Sequence, residues 1–121
     1  MIKVLANIGV AITAILHLWF CILEMFFWKK PLGLKVFRMK QAFADQSASL
    51  AANQGLYNGF LSAGLLWGLW AGDPAQSFHI KSFFLSCVIL AGIYAGLTVS
   101  RRIFFIQALP AVVTLILLLT Q

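Results

Sequence analysis

Long apolar segments separated by short polar connections dominate the chain, and they predict four long helices. The apolar segments cover approximately residues 4–27, 49–71, 80–100 and 103–120. They are continuous rather than alternating with period two, which favours helices over strands. Each is long enough to cross a bilayer, in which only helices and closed barrels satisfy all backbone polar groups. We therefore predict an all-α integral membrane protein, a single membrane domain over residues 1–121 that forms an antiparallel bundle of four transmembrane helices.

The longest connection, residues 28–48, is predicted to lie along the membrane surface. Its lysines and arginines are interspersed with leucine, valine, methionine and phenylalanine. Such a mixture lets apolar side chains enter the headgroup layer while the charged groups stay in water. Pro31 and Gly33 indicate a turn near the start of this connection, before the segment that lies in the headgroup layer. Asp45 or Ser47 is the expected N-cap of the second long helix.

The amino-acid composition supports the membrane assignment and affects how the net positive charge is interpreted. The chain is 62% hydrophobic and only 10% charged, with a mean hydropathy of +0.95, which excludes an ordinary soluble globule. The net charge of +6 could suggest nucleic acid, but the basic residues flank apolar segments. That arrangement is typical of membrane topology signals. The lipid bilayer is therefore the expected partner, and nucleic acid is not.

The distribution of basic residues predicts the orientation. Seven of the nine lysines and arginines lie in the connection between the first and second long helices or in that between the third and fourth. Lys3 and Lys81 lie on the opposite side of the predicted bundle. The positive-inside rule then places both basic connections in the cytoplasm and both termini outside.

Small residues recur at a spacing of four on the second and third long helices. Such rows let helix backbones approach closely in lipid, so we expect them to pack helices and, on an outward face, to support a homo-oligomer. The rows consist of Ala51, Gly55, Gly59 and Ala63, then Gly64, Gly68 and Gly72, and finally Gly92 and Gly96.

Polar side chains from all four helices are predicted to converge in the cytoplasmic half of the bundle, given a rise of about 1.5 Å per residue. Pro110 adds to this polarity, because a proline there leaves the carbonyl of Ile106 without its helical donor. His17, near mid-bilayer, and Glu24 share one face and are the candidate acid–base residues. The predicted ligand-binding residues are Asn53, Gln54, Tyr57, Asn58, Tyr94, Arg101 and Gln107.

We also expect Glu24 to be ionised and paired with Arg101. An unpaired carboxylate at that depth would carry a large desolvation cost. A guanidinium at the cytoplasmic end of the third helix can supply two parallel hydrogen bonds. Lys29, on the same helix as Glu24, cannot match that geometry.

The predicted polar pocket leaves several functions open. The protein could bind or carry a small polar or amphipathic ligand. It could also be an enzyme that uses His17 and Glu24 as acid–base residues on a lipid-soluble substrate. Alternatively, the protein could be purely structural, and the amides would then only form hydrogen bonds between helices. A channel is disfavoured, because the outer half offers no polar continuation. No metal cluster or cofactor motif is evident, and Cys21 and Cys87 differ too much in depth for a disulfide.

Three stretches of the sequence resemble the domain-of-unknown-function 1304 family of small bacterial membrane proteins. They read HLWFCILEMFFW, LAANQGLYNGFLSAGLLWG and VILAGIYAGLTVSRRIFFIQALPA. The resemblance implies a four-helix protein of the bacterial inner membrane and no assigned activity. The family's recurring polar positions would fall on His17, Glu24, Asn53, Gln54, Tyr57, Asn58, Tyr94, Ser100, Arg101 and Gln107.

Overall fold

A computed structural model describes all 121 residues, and its regular structure is entirely helical. Five helices follow one another without strands between them. Their bounds are α1, Ile2–Phe26; α2, Pro31–Phe37; α3, Gln41–Trp70; α4, Pro74–Thr98; and α5, Arg101–Thr120. The predicted all-helical class is therefore confirmed.

Three of the helices, α1, α4 and α5, are long and apolar enough to cross a membrane. The longest helix, α3, has 30 residues, but the amides of Asn53, Gln54 and Asn58 interrupt its apolar run. The chain is thus a helical protein with three helices suited to a bilayer. A bundle of four transmembrane helices stays a prediction.

The start of α3 differs from the prediction. The helix begins at Gln41 rather than near residue 49, so Asp45 and Ser47 lie inside it and the prediction of either as N-cap was wrong. Gln41 Nε2 donates to Asp45 Oδ1 over 2.9 Å, and Ser47 Oγ donates to the carbonyl of Phe43 over 2.7 Å. Both side chains are satisfied one turn away, which removes the need for a break at either residue.

The basic connection is more regular than predicted, because it contains α2. Pro31 begins that helix, where its missing N–H costs nothing. Gly33 is buried against the carbonyls of Phe27 and Trp28, where a Cβ would not fit. Arg38 ends the helix with a left-handed backbone, φ 53°, and its N–H donates to the carbonyl of Leu34.

Helix α4 also begins earlier than predicted, at Pro74. The Asp73 carboxylate accepts a 2.8 Å hydrogen bond from the backbone N–H of Gln76. Asp73 is therefore an N-cap, and proline follows it in the first turn. The sequence Gly-Asp-Pro thus ends one helix and starts the next with almost no connection.

Helix α5 contains a π-helical segment, Phe104–Ala108, immediately before Pro110. The backbone N–H of Leu109 donates to the carbonyl of Phe104, five residues earlier. A proline removes one α-helical donor, and the predicted disturbance at this point takes the form of a widened turn. Such turns occur mostly as single insertions within α-helices.

The chain forms two compact units. The first comprises Met1–Ile15 and Leu61–Gln121, and the second is Leu16–Phe60. The first unit has a core of small and branched apolar side chains from α1, α3, α4 and α5: Ala6, Val10, Ala14, Leu65, Leu85, Val88, Ala111 and Leu118.

The glycine rows are used for packing inside these units. In the first unit, Gly64 faces the ring of Phe84, and a Cβ at Gly92 would lie 2.8 Å from the backbone nitrogen of Ala108. Only Gly72 has open space around it. The predicted role in close helix packing fits this arrangement, and a homo-oligomer stays a prediction.

Candidate functional site

A buried hydrogen bond between Glu24 and Asn58 lies at the centre of the second unit. Asn58 Nδ2 donates to Glu24 Oε1 over 2.8 Å. Glu24 is 2% exposed and Asn58 is 9% exposed. Because a buried polar group without a partner is costly, this bond supports both side chains and joins α1 to α3.

Glycine brings the two helices close enough for that bond. A Cβ at Gly55 would lie 2.9 Å from the Cβ of Glu24 and 3.1 Å from the carbonyl oxygen of Cys21. One turn later, a Cβ at Gly59 would lie 3.2 Å from Cys21 Sγ. The short side chain of an asparagine can therefore reach across to the carboxyl group.

The carboxyl group of Glu24 retains unused hydrogen-bonding capacity. Its second oxygen, Oε2, is buried and has no hydrogen-bond partner. The amide of Gln54 lies one turn before Asn58 on α3 and is the other polar side chain near this carboxyl group. A buried carboxyl oxygen without a partner carries a desolvation cost that a hydrogen-bond donor would relieve.

His17 lies on the same side of α1 as Glu24, seven residues earlier. Its side chain is fully buried, and its ring meets the ring of Phe20 edge-on, with 6.0 Å between centroids. The two candidate acid–base residues are therefore both interior residues of this unit.

The other predicted ligand-binding residues of α3 are exposed. Asn53 and Gln54 lie on the surface of the chain. Tyr57 is 58% exposed, and its ring contacts that of Phe60. Of the four polar residues predicted on this helix, Asn58 alone is buried.

The remaining predicted ligand-binding residues belong to the first unit. Tyr94 is 71% exposed, and Gln107 is half-buried in the π-helical segment. Arg101 lines an open depression of about 310 Å³ together with Ile93 and Phe104. That these residues converge with the amides of α3 stays a prediction. The ion pair between Glu24 and Arg101 also stays a prediction.

Sequence reasoning missed a second polar centre, in the first unit. Lys81 was treated only as a topology signal, but its side chain is 5% exposed. Lys81 Nζ donates to Asn7 Oδ1 over 2.8 Å, beside a cavity of about 190 Å³. The signal that could have found it is a lone lysine between apolar residues of a predicted helix, since such a charge is costly without a partner.

The side chains that commonly hold metals or form disulfides are dispersed. No group of three or more histidine, cysteine, aspartate or glutamate residues lies close enough together to hold a metal ion. Cys21 and Cys87 are free thiols, and the thiol of Cys21 points to Met25 Sδ over 3.7 Å.

Comparison with known proteins agrees with the resemblance found in the sequence. The family model described as "Protein of unknown function (DUF1304)" matches residues 11–119. The chain is 29% identical over 96 residues to the "Uncharacterized protein YpaA" of Lactococcus lactis subsp. lactis (strain IL1403). The aligned residues cover 78% of this chain and 79% of that protein. No solved structure matches the chain. The predicted family is confirmed, and the chain belongs to the DUF1304 family.

Proposed function

We propose that the protein is a multi-pass membrane protein that binds the polar head of a small amphipathic ligand at α1 and α3 of the second unit. The observation that carries the proposal is the buried oxygen Oε2 of Glu24, which lacks a hydrogen-bond partner while Oε1 is held by Asn58. A ligand hydroxyl or amine would supply the missing donor.

The exposed amides of α3 support the same assignment. Asn53 and Gln54 lie on the surface of the chain, next to a helix face that also presents Tyr57. In a bilayer such amides would face acyl chains that offer no hydrogen bonds. A polar headgroup beside them would satisfy these groups, and its apolar tail would lie among the lipids.

The proposal includes the predicted membrane arrangement. Helix α3 would cross the bilayer as the fourth span, and the basic residues before it would lie at the cytoplasmic face of the bacterial inner membrane. The site would then open toward the inner leaflet, with both termini outside. A role in carrying the ligand across the membrane would need an oligomer, since four helices are few for alternating access.

An enzyme is the second candidate, and the burial of both His17 and Glu24 on one side of α1 favours it. Imidazole and carboxyl groups are both common general acids and bases. The two proposals separate experimentally, because an enzyme variant His17→Ala would retain bound ligand while losing turnover.

The test is to identify amphiphiles that copurify with the protein in detergent, by mass spectrometry of the extracted material. We expect one species to accompany the wild type in a stoichiometric amount and to be depleted in Gln54→Leu. The matched control is Gln46→Leu, which removes another exposed amide from the same helix. Equal retention by the two variants, or a wild type that carries no amphiphile, would overturn the proposal.

A further inference from the structure

The cavity of the first unit presents a buried cation that has no anionic partner. Lys81 lies on α4 and is 5% exposed. Its ammonium group has three donors and makes one hydrogen bond, to the neutral oxygen Asn7 Oδ1. A neutral acceptor does not compensate the charge, so the site as built favours an anion.

The other charged groups around the cavity increase this preference. Lys3, on α1, also lines the cavity. No acidic side chain lines it, and the nearest carboxylate in sequence, that of Asp73, is engaged as the N-cap of α4. Two lysines therefore border one partly open cavity whose lining contains no acidic side chain.

The hydrogen bond between Lys81 and Asn7 also orients the Asn7 amide, whose Nδ2 group is a third donor beside the two lysines. A lysine has no acceptor, so the amide oxygen of Asn7 must face the ammonium group. The Nδ2 group of the same amide is then left as a donor. The hydroxyl of Ser77 donates to the carbonyl of Gly68 over 2.7 Å. It is therefore not available as a donor to a ligand in the cavity.

The size of the cavity permits a ligand. Its volume is about 190 Å³, well above the roughly 10–15 Å³ that a single water needs. Lysine binds phosphate as a point charge, and two lysines with one amide donor suit a tetrahedral anion with several oxygens. We propose that Lys81, Lys3 and Asn7 form a binding site for a phosphate group, supplied by a phospholipid headgroup or by free phosphate. This inference is independent of the ligand proposed for Glu24.

The test compares two probes on the full chain in a neutral detergent at low ionic strength, because salt screens such contacts. Inorganic phosphate is titrated by calorimetry, and phosphatidylglycerol retention is measured by native mass spectrometry. Diacylglycerol, which lacks the phosphate, is the lipid control. We expect Lys81→Met to weaken the binding of whichever probe binds by about tenfold or more, as for loss of a charged hydrogen bond.

Two further variants keep the test decisive if Lys81→Met misfolds. Lys3→Gln changes an exposed side chain and should weaken binding about threefold, as expected for a partly screened charge. Lys35→Gln removes an exposed lysine from α2 and should leave binding unchanged. Binding of both probes identifies a site for the phosphate itself, and binding of phosphatidylglycerol alone identifies a headgroup site. If the wild type binds neither probe, or if Lys3→Gln binds as the wild type does, the proposal is wrong.

Discussion

Asn58 Nδ2 and Glu24 Oε1 are 2.8 Å apart, and the two residues are 34 positions apart in the chain. This bond makes a neutral amide the partner of a carboxyl group that sequence reasoning paired with an arginine. An amide can be buried at lower cost than a guanidinium. The bond therefore fits an interior position on α1 better than a charge pair would.

The first prediction concerns the stability that this bond supplies. Asn58→Leu leaves Glu24 Oε1 without a donor and should lower the free energy of unfolding by roughly 2–4 kcal/mol. Asn53→Leu, an exposed amide on the same helix, should change it by less than about 0.5 kcal/mol. Denaturant titration in detergent measures both. Equal losses would mean that the buried bond contributes no specific stability.

The second prediction concerns the other carboxyl oxygen of Glu24, Oε2, and tests the ion pair with Arg101 that the sequence predicts. If the ion pair predicted from the sequence forms, the stability losses of Glu24→Gln and Arg101→Gln will not add in the double variant. A coupling of about 0.5–3 kcal/mol would show the ion pair; because Oε2 of Glu24 has no hydrogen-bond partner, we expect the two losses to add. Additive losses would leave Arg101 as a topology signal and leave Oε2 of Glu24 to a ligand.

The third prediction tests the close packing of α4 on α5. A Cβ at Gly92 would lie 2.8 Å from the backbone nitrogen and the Cβ of Ala108. Because the backbone cannot move aside cheaply, Gly92→Ala should destabilise the protein by roughly 1–3 kcal/mol. Gly72→Ala is the control, since no atom lies within 4 Å of its added methyl group. A neutral Gly92→Ala would show that the two helices are not held this close together.

The fourth prediction concerns orientation in the membrane. Single cysteines replacing Lys35 and Asp73, in a chain without Cys21 and Cys87, should label from opposite sides of the membrane. Position 35 should react with an impermeant maleimide only after the cells are opened, because the positive-inside rule places it in the cytoplasm. Labelling of position 35 in intact cells would invert the proposed topology.

The helical class and the family followed directly from the sequence, because long apolar runs and a specific string around Asn58 are local features. Helix starts were less predictable. Asp45 and Ser47 have the side chains of N-caps, but both bond within α3. Asp73 is the cap that the structure uses, since Pro74 follows it and suits a first helical turn.

The polar residues were harder to assign, since periodicity does not say which of several neighbours is buried. Asn53 and Asn58 lie little more than one turn apart, yet only Asn58 faces α1. The glycines at 55 and 59 decide this, because they set where α1 approaches. Lys81 was missed for a related reason: its partner Asn7 is 74 residues away, and no local pattern connects the two.

The π-helical segment Phe104–Ala108 sets the rotation of the first turn of α5 relative to the rest of the helix. Each residue turns an α-helix by about 100°, and a π turn accommodates one additional residue. Removing one residue from this segment would therefore rotate the part of α5 before the segment relative to the part after it. Ala111, Thr114 and Leu118 would keep their buried side, while Arg101 would swing by about a quarter turn to another face. A change of one residue in length would thus redirect the arginine relative to the buried side of the helix.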